Sequence, residues 1–173
     1  AGGPRAASEG AVAAGGFPAG VIVPRGARVS AIAHNKFLVL SEGGVPTTVW
    51  TGSTNLTMGG VHGQSNVGHL VRDRTTAAAF TAYWQLLATD PGGLSSDTAT
   101  DKKVKNAAFK AQVAALSPAP SDRAGVAAGI TPVFSPRPDL GPLNLYAQLI
   151  GAGTTSLACA TFAFGIAQEI QDA

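Results

Sequence analysis

Charged residues are sparse in this chain, at 13% of 173 positions, and they nearly cancel to a net charge of +2. That balance is too weak to argue for nucleic acid on charge alone, because a phosphate backbone is held by dense, clustered cations, so nucleic acid is a possible but not a favoured partner. Sparse charge combined with 45% hydrophobic residues also argues against a disordered chain, since enough apolar surface exists to bury. Cys159 is the single cysteine, so no disulfide can form within the chain and the redox compartment is left open. It lies in the apolar stretch 156–164, where a free thiol packs as a small hydrophobe. No apolar run reaches the length of a membrane-spanning helix. The composition assigns no localisation.

The chain is long enough to bury a core. Residues 1–18 are rich in Ala and Gly without a period and read as a loop-like lead-in. Residues 20–23 form a short strand candidate ended by Pro24, and residues 35–41 a better one. Residues 47–51 pair with the latter through Glu42-Gly43-Gly44-Val45-Pro46, which has hairpin chemistry. Residues 66–72 make a third strand. A helix is expected over 75–88, where Phe80, Tyr83, Trp84 and Leu87 fall on one stripe, with Asp73 or Thr75 as its cap. Pro91-Gly92-Gly93 breaks the chain beyond that helix. A second helix spans 101–116, and its lysines (Lys102, Lys103, Lys105, Lys110) read as a solvated face. Pro118, Pro120, Gly125 and Gly129 mark a linker over 117–130. Beyond it come a strand at 131–135, a helix at 140–150, an apolar strand at 156–164 with Phe162 and Phe164 in the core, and a further helix from Gly165. That rhythm is a βαβ unit with a parallel sheet, so the fold class is α/β.

The chemistry concentrates in residues 33–60, AHNKFLVLSEGGVPTTVWTGSTNLTMGG. Residues two apart on a strand point to one face, so His34 and Lys36 project together. The partner strand breaks into Gly52-Ser53-Thr54-Asn55, which can bring a hydroxyl and a carboxamide beside them. This set lacks a carboxylate pair and a thiolate and is a poor metal site. It suits a phosphate: lysine supplies charge, and the Ser and Asn side chains with the turn amides supply donors. An imidazole can attack phosphorus or pass a proton. Trp50, just before the turn, reads as core.

The pattern His34-Asn35-Lys36 followed by Gly52-Ser53-Thr54-Asn55 resembles the HKD motif of the phospholipase D superfamily. HNKFLVL, VWTGSTNLTMGG and QSNVGHLVRD look like one block of that family, and VFSPRPDLGPLNLYAQLIGAGTTSLACATFAFG looks like the opening of its next repeat. The resemblance covers about two thirds of the chain. It implies a phospholipase D-type mixed sheet flanked by helices, incomplete here. Residues 1–116 would end a first repeat, 117–130 would link, and 131–173 would open a second. It further implies a phosphodiester hydrolase or transphosphatidylase working through a phosphohistidine, on phospholipid headgroups, with no metal or other cofactor. By position His34 would be nucleophile or general acid/base, Lys36 and Asn55 would bind phosphate, and Ser53 with Gly52 would position it. Alternatives are an HKD-type nuclease acting as a homodimer and an incomplete half-site with a structural or phosphate-binding role.

The sequence departs from the family in several places. The motif aspartate, five residues after the lysine, is Ser41 here, and the adjacent Glu42 points to the other strand face. Where members carry a glutamate that orients the histidine, this chain has Gln64, Ser65 and Asn66. A neutral partner there would raise the imidazole pKa less than a carboxylate. His62 and His69 do not precede a lysine by two and read as surface or structural. Only one motif is present, so the second half of the site is expected from a homodimer partner or from a missing chain segment, the latter being favoured. Arg137, in Ser-Pro-Arg-Pro, reads as a solvated loop arginine that could meet an anionic substrate.

Overall fold

Alternation with a period of two is visible in the strand that opens the candidate site. The computed structural model describes Gly10–Ala13, Phe17–Gly20 and residues 35–152. The first two segments are strands β1 (Gly10–Ala13) and β2 (Phe17–Gly20), paired antiparallel from Gly10 opposite Gly20 to Ala13 opposite Phe17. Of the loop-like lead-in expected for 1–18, residues 10–13 and 17–18 are thus corrected to paired strands, and the rest lies outside the described residues. Ladder bonds need only the backbone, so an Ala/Gly-rich run can pair without showing an apolar period. Of the strand expected at 20–23, Gly20 closes β2 and the rest lies outside the described residues.

Strand β3 (Phe37–Glu42) alternates half-buried and exposed residues, as a strand with one covered face does. Strand β4 (Val45–Gly52) pairs with it antiparallel, with Phe37 opposite Thr51 and Val39 opposite Val49. The connecting Gly43 and Gly44 stand at φ 58° and 80°. Two successive left-handed residues make the turn that matches strand twist, and glycine adopts them without steric cost. The register shifts between Leu40 and Ser41, which leaves Thr47 as the extra residue beside Pro46. A short helix α1 (Met58–His62) comes next, and strand β5 (Gly68–Val71) then pairs with the other edge of β4. The three-stranded sheet has the order β3-β4-β5 and is antiparallel throughout.

Helix α2 (Arg74–Ala88) covers one face of that sheet. Its start is capped by Asp73, whose carboxylate accepts from Thr76 N at 2.6 Å. Hydrogen bonds from Thr76 hold the Asp73 carboxyl below its usual pKa. The expected stripe reaches the sheet: the Phe80 and Tyr83 rings meet Phe37 with centroids 5.1 and 5.9 Å apart. Val49, Ala77 and Tyr83 are buried there, while Trp84 and Leu87 are half-buried. Burial pushes the Tyr83 phenol up, and a hydrogen bond from Asn35 Nδ2 (2.9 Å) to its hydroxyl offsets part of that rise.

Helix α3 (Ala99–Leu116) begins with a reciprocal cap, Thr98 N to Asp101 Oδ2 at 2.9 Å and Asp101 N to Thr98 Oγ1 at 3.1 Å. Lys103 and Lys110 are exposed, as a solvated face requires, and Lys105 pairs with Asp97. The chain divides within α3 into two compact units, 1–109 and 110–173. In the second unit, helix α4 (Gly141–Gly151) forms as expected, with Pro142 in its first turn, where a missing N–H costs nothing. The strand expected at 131–135 does not form. Pro132, Pro136 and Pro138 cannot donate to a ladder, and Phe134 N donates instead to Ser117 Oγ at 3.0 Å. The strand at 156–164 and the helix from Gly165 lie outside the described residues, with Cys159, Phe162 and Phe164. Every described strand pair is antiparallel, so the described residues combine helices with a two-stranded and a three-stranded antiparallel sheet. Among the described residues, no helix is long and apolar enough to cross a membrane.

Candidate functional site

The hairpin brings Lys36 and the Gly52-Ser53-Thr54-Asn55 turn to one corner of the sheet. Gly52 N donates to Lys36 O at 3.3 Å, and Thr51 Oγ1 donates to the same oxygen at 3.2 Å. Lys36 is thereby pinned beside Gly52, the first residue of the turn. His34 lies outside the described residues.

The turn itself is held by its own side chains. Ser53 N donates to Val67 O (2.9 Å), and Ser53 Oγ accepts from Val67 N (3.0 Å) while donating to Asn66 Oδ1 (3.3 Å). Asn66 Nδ2 donates to Gly60 O at 2.9 Å and to Gln64 Oε1 at 3.1 Å. Both amide hydrogens of Asn66 are spent inside the loop, and so is the Ser53 hydroxyl. Thr57 caps α1 by accepting from Gly60 N at 3.0 Å. Gly60 is buried against Asn55: a Cβ there would stand 2.9 Å from Asn55 Cβ and would overlap Asn55 O. This packing fixes the Asn55 backbone and leaves its side chain at the surface, with the exposed Gln64 and Ser65.

Cross-strand register sorts the side chains. Phe37, Val39 and Val49 face α2, so Lys36, Leu38, Trp50, Gly52, Gly68 and Leu70 share the opposite face. Leu38 and Leu70 flank Trp50 there and are 45% and 56% exposed. Trp50, expected in the core, is half-buried on this open face. Strand alternation alone does not say which face a helix will cover. A Cβ on Gly68 would come within 2.7 Å of Trp50 Nε1, so the indole lies across Gly68.

The pattern residues described thus converge in part. Lys36, Gly52 and Ser53 gather at one end of β3 and β4, Asn55 follows in the loop with its side chain exposed, and Asn66 serves as the staple of the loop. His62 and His69 are exposed. The residue that the sequence analysis passed over is Thr57, the cap of α1, which the polar residue just before Met58 could have signalled. Arg137 is half-buried rather than fully solvated. Its Nη1 donates to Ser117 O (2.9 Å), Ser117 Oγ (3.2 Å) and Phe134 O (3.3 Å), so it ties the extended segment to the end of α3. Among the described residues, no group of three or more His, Cys, Asp or Glu side chains could hold a metal ion. No protein-family model, curated protein or solved structure matches this chain.

Proposed function

We propose that the chain carries one half of a phospholipase D-type phosphodiesterase site, within a mixed sheet of that type. The observation that carries the reading is the pairing of Lys36 with Gly52, which joins the two separated parts of the motif at one corner. Lys36 would neutralise the non-bridging oxygens, with Asn55 as a further donor. Ser53 acts by shaping the turn, since its hydroxyl is already engaged by Val67 and Asn66. His34 would form the bond to phosphorus while the P–O bond to the leaving alcohol breaks. A second histidine gives its proton to that alcohol and then takes one from water, which attacks and releases the phosphate monoester. That histidine comes from a second copy or from another segment. A phospholipid headgroup ester is the substrate class the motif implies.

The test is binding of inorganic phosphate, then turnover of a chromogenic phosphodiester in EDTA. Saturable phosphate binding that weakens at least tenfold in Lys36→Ala and Asn55→Ala is expected. Turnover that survives EDTA and disappears in His34→Ala is expected only where the chain self-associates. A parent chain that binds no phosphate would overturn the reading.

A further inference from the structure

Between β4 and β5 the chain leaves the sheet, runs through α1 and returns as one closed loop, residues 53–67. Its mouth is tied by Ser53 N donating to Val67 O (2.9 Å) and Val67 N donating to Ser53 Oγ (3.0 Å). Its body is tied by Asn66 Nδ2 donating to Gly60 O (2.9 Å) and by the Thr57 cap, which accepts from Gly60 N (3.0 Å). The large side chains this loop turns outward are apolar. Leu56, Met58, Val61 and Val67 are 67%, 77%, 56% and 58% exposed. Met58 and Val61 stand three apart in α1 and share one face of it. Single apolar residues scattered over a surface are ordinary, whereas four on one short, tied loop point to an occupant.

The charge pattern distinguishes the occupants. In residues 35–71 the only formal charges are Lys36, just before β3 at the loop end, and Glu42, at the far end of β3. The loop itself carries none. A segment enters the headgroup layer of a bilayer at least cost when no ionised group has to leave water. An uncharged loop matches a zwitterionic surface, while an anionic one is held by clustered lysines and arginines that this segment lacks. A protein partner needs about 800 Å² and about 20–30 residues on each side, and all four side chains come from residues 56–67 alone.

We propose that the loop 53–67 docks on the surface of a zwitterionic phospholipid bilayer, with Leu56, Met58, Val61 and Val67 inserted at the boundary of headgroups and acyl chains. The loop would lie on the bilayer and not span it. The inference rests on the phospholipid-headgroup reading of the site and adds to it the way the substrate is met. Exposed Asn55 precedes Leu56 on the same loop, and Lys36 is tied through its carbonyl to Gly52 at the loop mouth. Insertion therefore sets the candidate phosphate-binding groups at headgroup level.

The test mixes the full chain with phosphatidylcholine vesicles and measures the bound fraction by co-sedimentation, with inorganic phosphate binding followed by calorimetry. Partition into the vesicle fraction is expected, and it should persist at raised salt because insertion is apolar. Leu56→Ser and Met58→Ser should each weaken it about tenfold, with an unchanged circular dichroism spectrum and unchanged affinity for phosphate. Val104→Ser, at a 63% exposed position of α3, is the control and should change nothing. A parent chain that stays in the supernatant, or loop variants that partition as the parent does, would overturn the inference. So would a parent that ignores vesicles and self-associates in a manner abolished by the same substitutions, which would assign the loop to a second copy. Phosphate binding without vesicle binding leaves the site reading standing and removes the docking loop. Vesicle binding without phosphate binding does the reverse.

Discussion

Replacing Gly52 by alanine tests the geometry on which the whole site depends. Gly52 does not have a left-handed φ, unlike Gly43, Gly44, Gly92 and Gly129, so its requirement is space and not backbone freedom. An added methyl would overlap Val67 O and stand 2.8 Å from Gly68 Cα and 2.9 Å from Val67 C. All of these are backbone atoms, which cannot swing aside as a side-chain tip does. Relief requires the ends of β4 and β5 to part, which breaks Ser53 N to Val67 O (2.9 Å) and Val67 N to Ser53 Oγ (3.0 Å). At about 0.5–1.5 kcal/mol net for each bond, the loss is about 1–3 kcal/mol, within the usual range for overpacking. Gly59→Ala is the matched control, because its Cβ would meet nothing within 4 Å and it lies in helix α1. That change should be neutral or stabilise by up to about 1 kcal/mol. Equilibrium urea unfolding measures both, and hydrogen exchange at the Val67 amide reports the local opening. A Gly52→Ala protein as stable as Gly59→Ala, with Val67 still protected, would refute the argument.

Other parts of the fold make further outcomes testable. Asp73→Ala should lower the melting temperature by removing the cap that Thr76 N uses, and thermal unfolding monitored by circular dichroism checks it. Because the folded Asp73 pKa is depressed below 3.8, its contribution is present above that pH and is lost as pH falls through the folded value; Asp73→Ala should therefore flatten the acid limb of a stability–pH curve. Tyr83 has the opposite sign: its folded pKa is raised above 10.0, so stability holds below pH 10 and falls as pH rises through the folded value, with Tyr83→Phe removing that alkaline loss. Arg137→Gln should destabilise the second unit by about 2 kcal/mol, since three carbonyl and hydroxyl acceptors lose a charged donor; urea unfolding with no change at all would show that this tie between Ser117 and Phe134 adds no stability.

Legibility tracked the range of the interactions involved. The Gly43-Gly44 turn, the pairing of β3 with β4, the Asp73 cap and the helices α2, α3 and α4 were readable, because each depends on neighbours a few residues away. The hairpin of β1 and β2 was hidden by a composition of Ala and Gly, in which backbone pairing leaves no apolar period. The segment 131–135 departs from expectation for the converse reason. Its apolar residues suggest a strand, but Pro132 and Pro136 remove ladder donors, and the Phe134 N–H goes to Ser117 Oγ instead.

Sequence alone determined that Lys36 and the Gly52-Ser53-Thr54-Asn55 turn could meet, since a tight glycine turn between two alternating strands dictates their register. Tertiary structure decided which face of that hairpin stays open. Helix α2 covers Phe37, Val39 and Val49, which leaves Lys36, Trp50 and the glycine pair on the far side. It also decided that Ser53 and Asn66 are spent on holding the loop and that Arg137 serves as a tie. A side chain's partners come from segments distant along the chain, and local spacing carries no information about which of them will arrive.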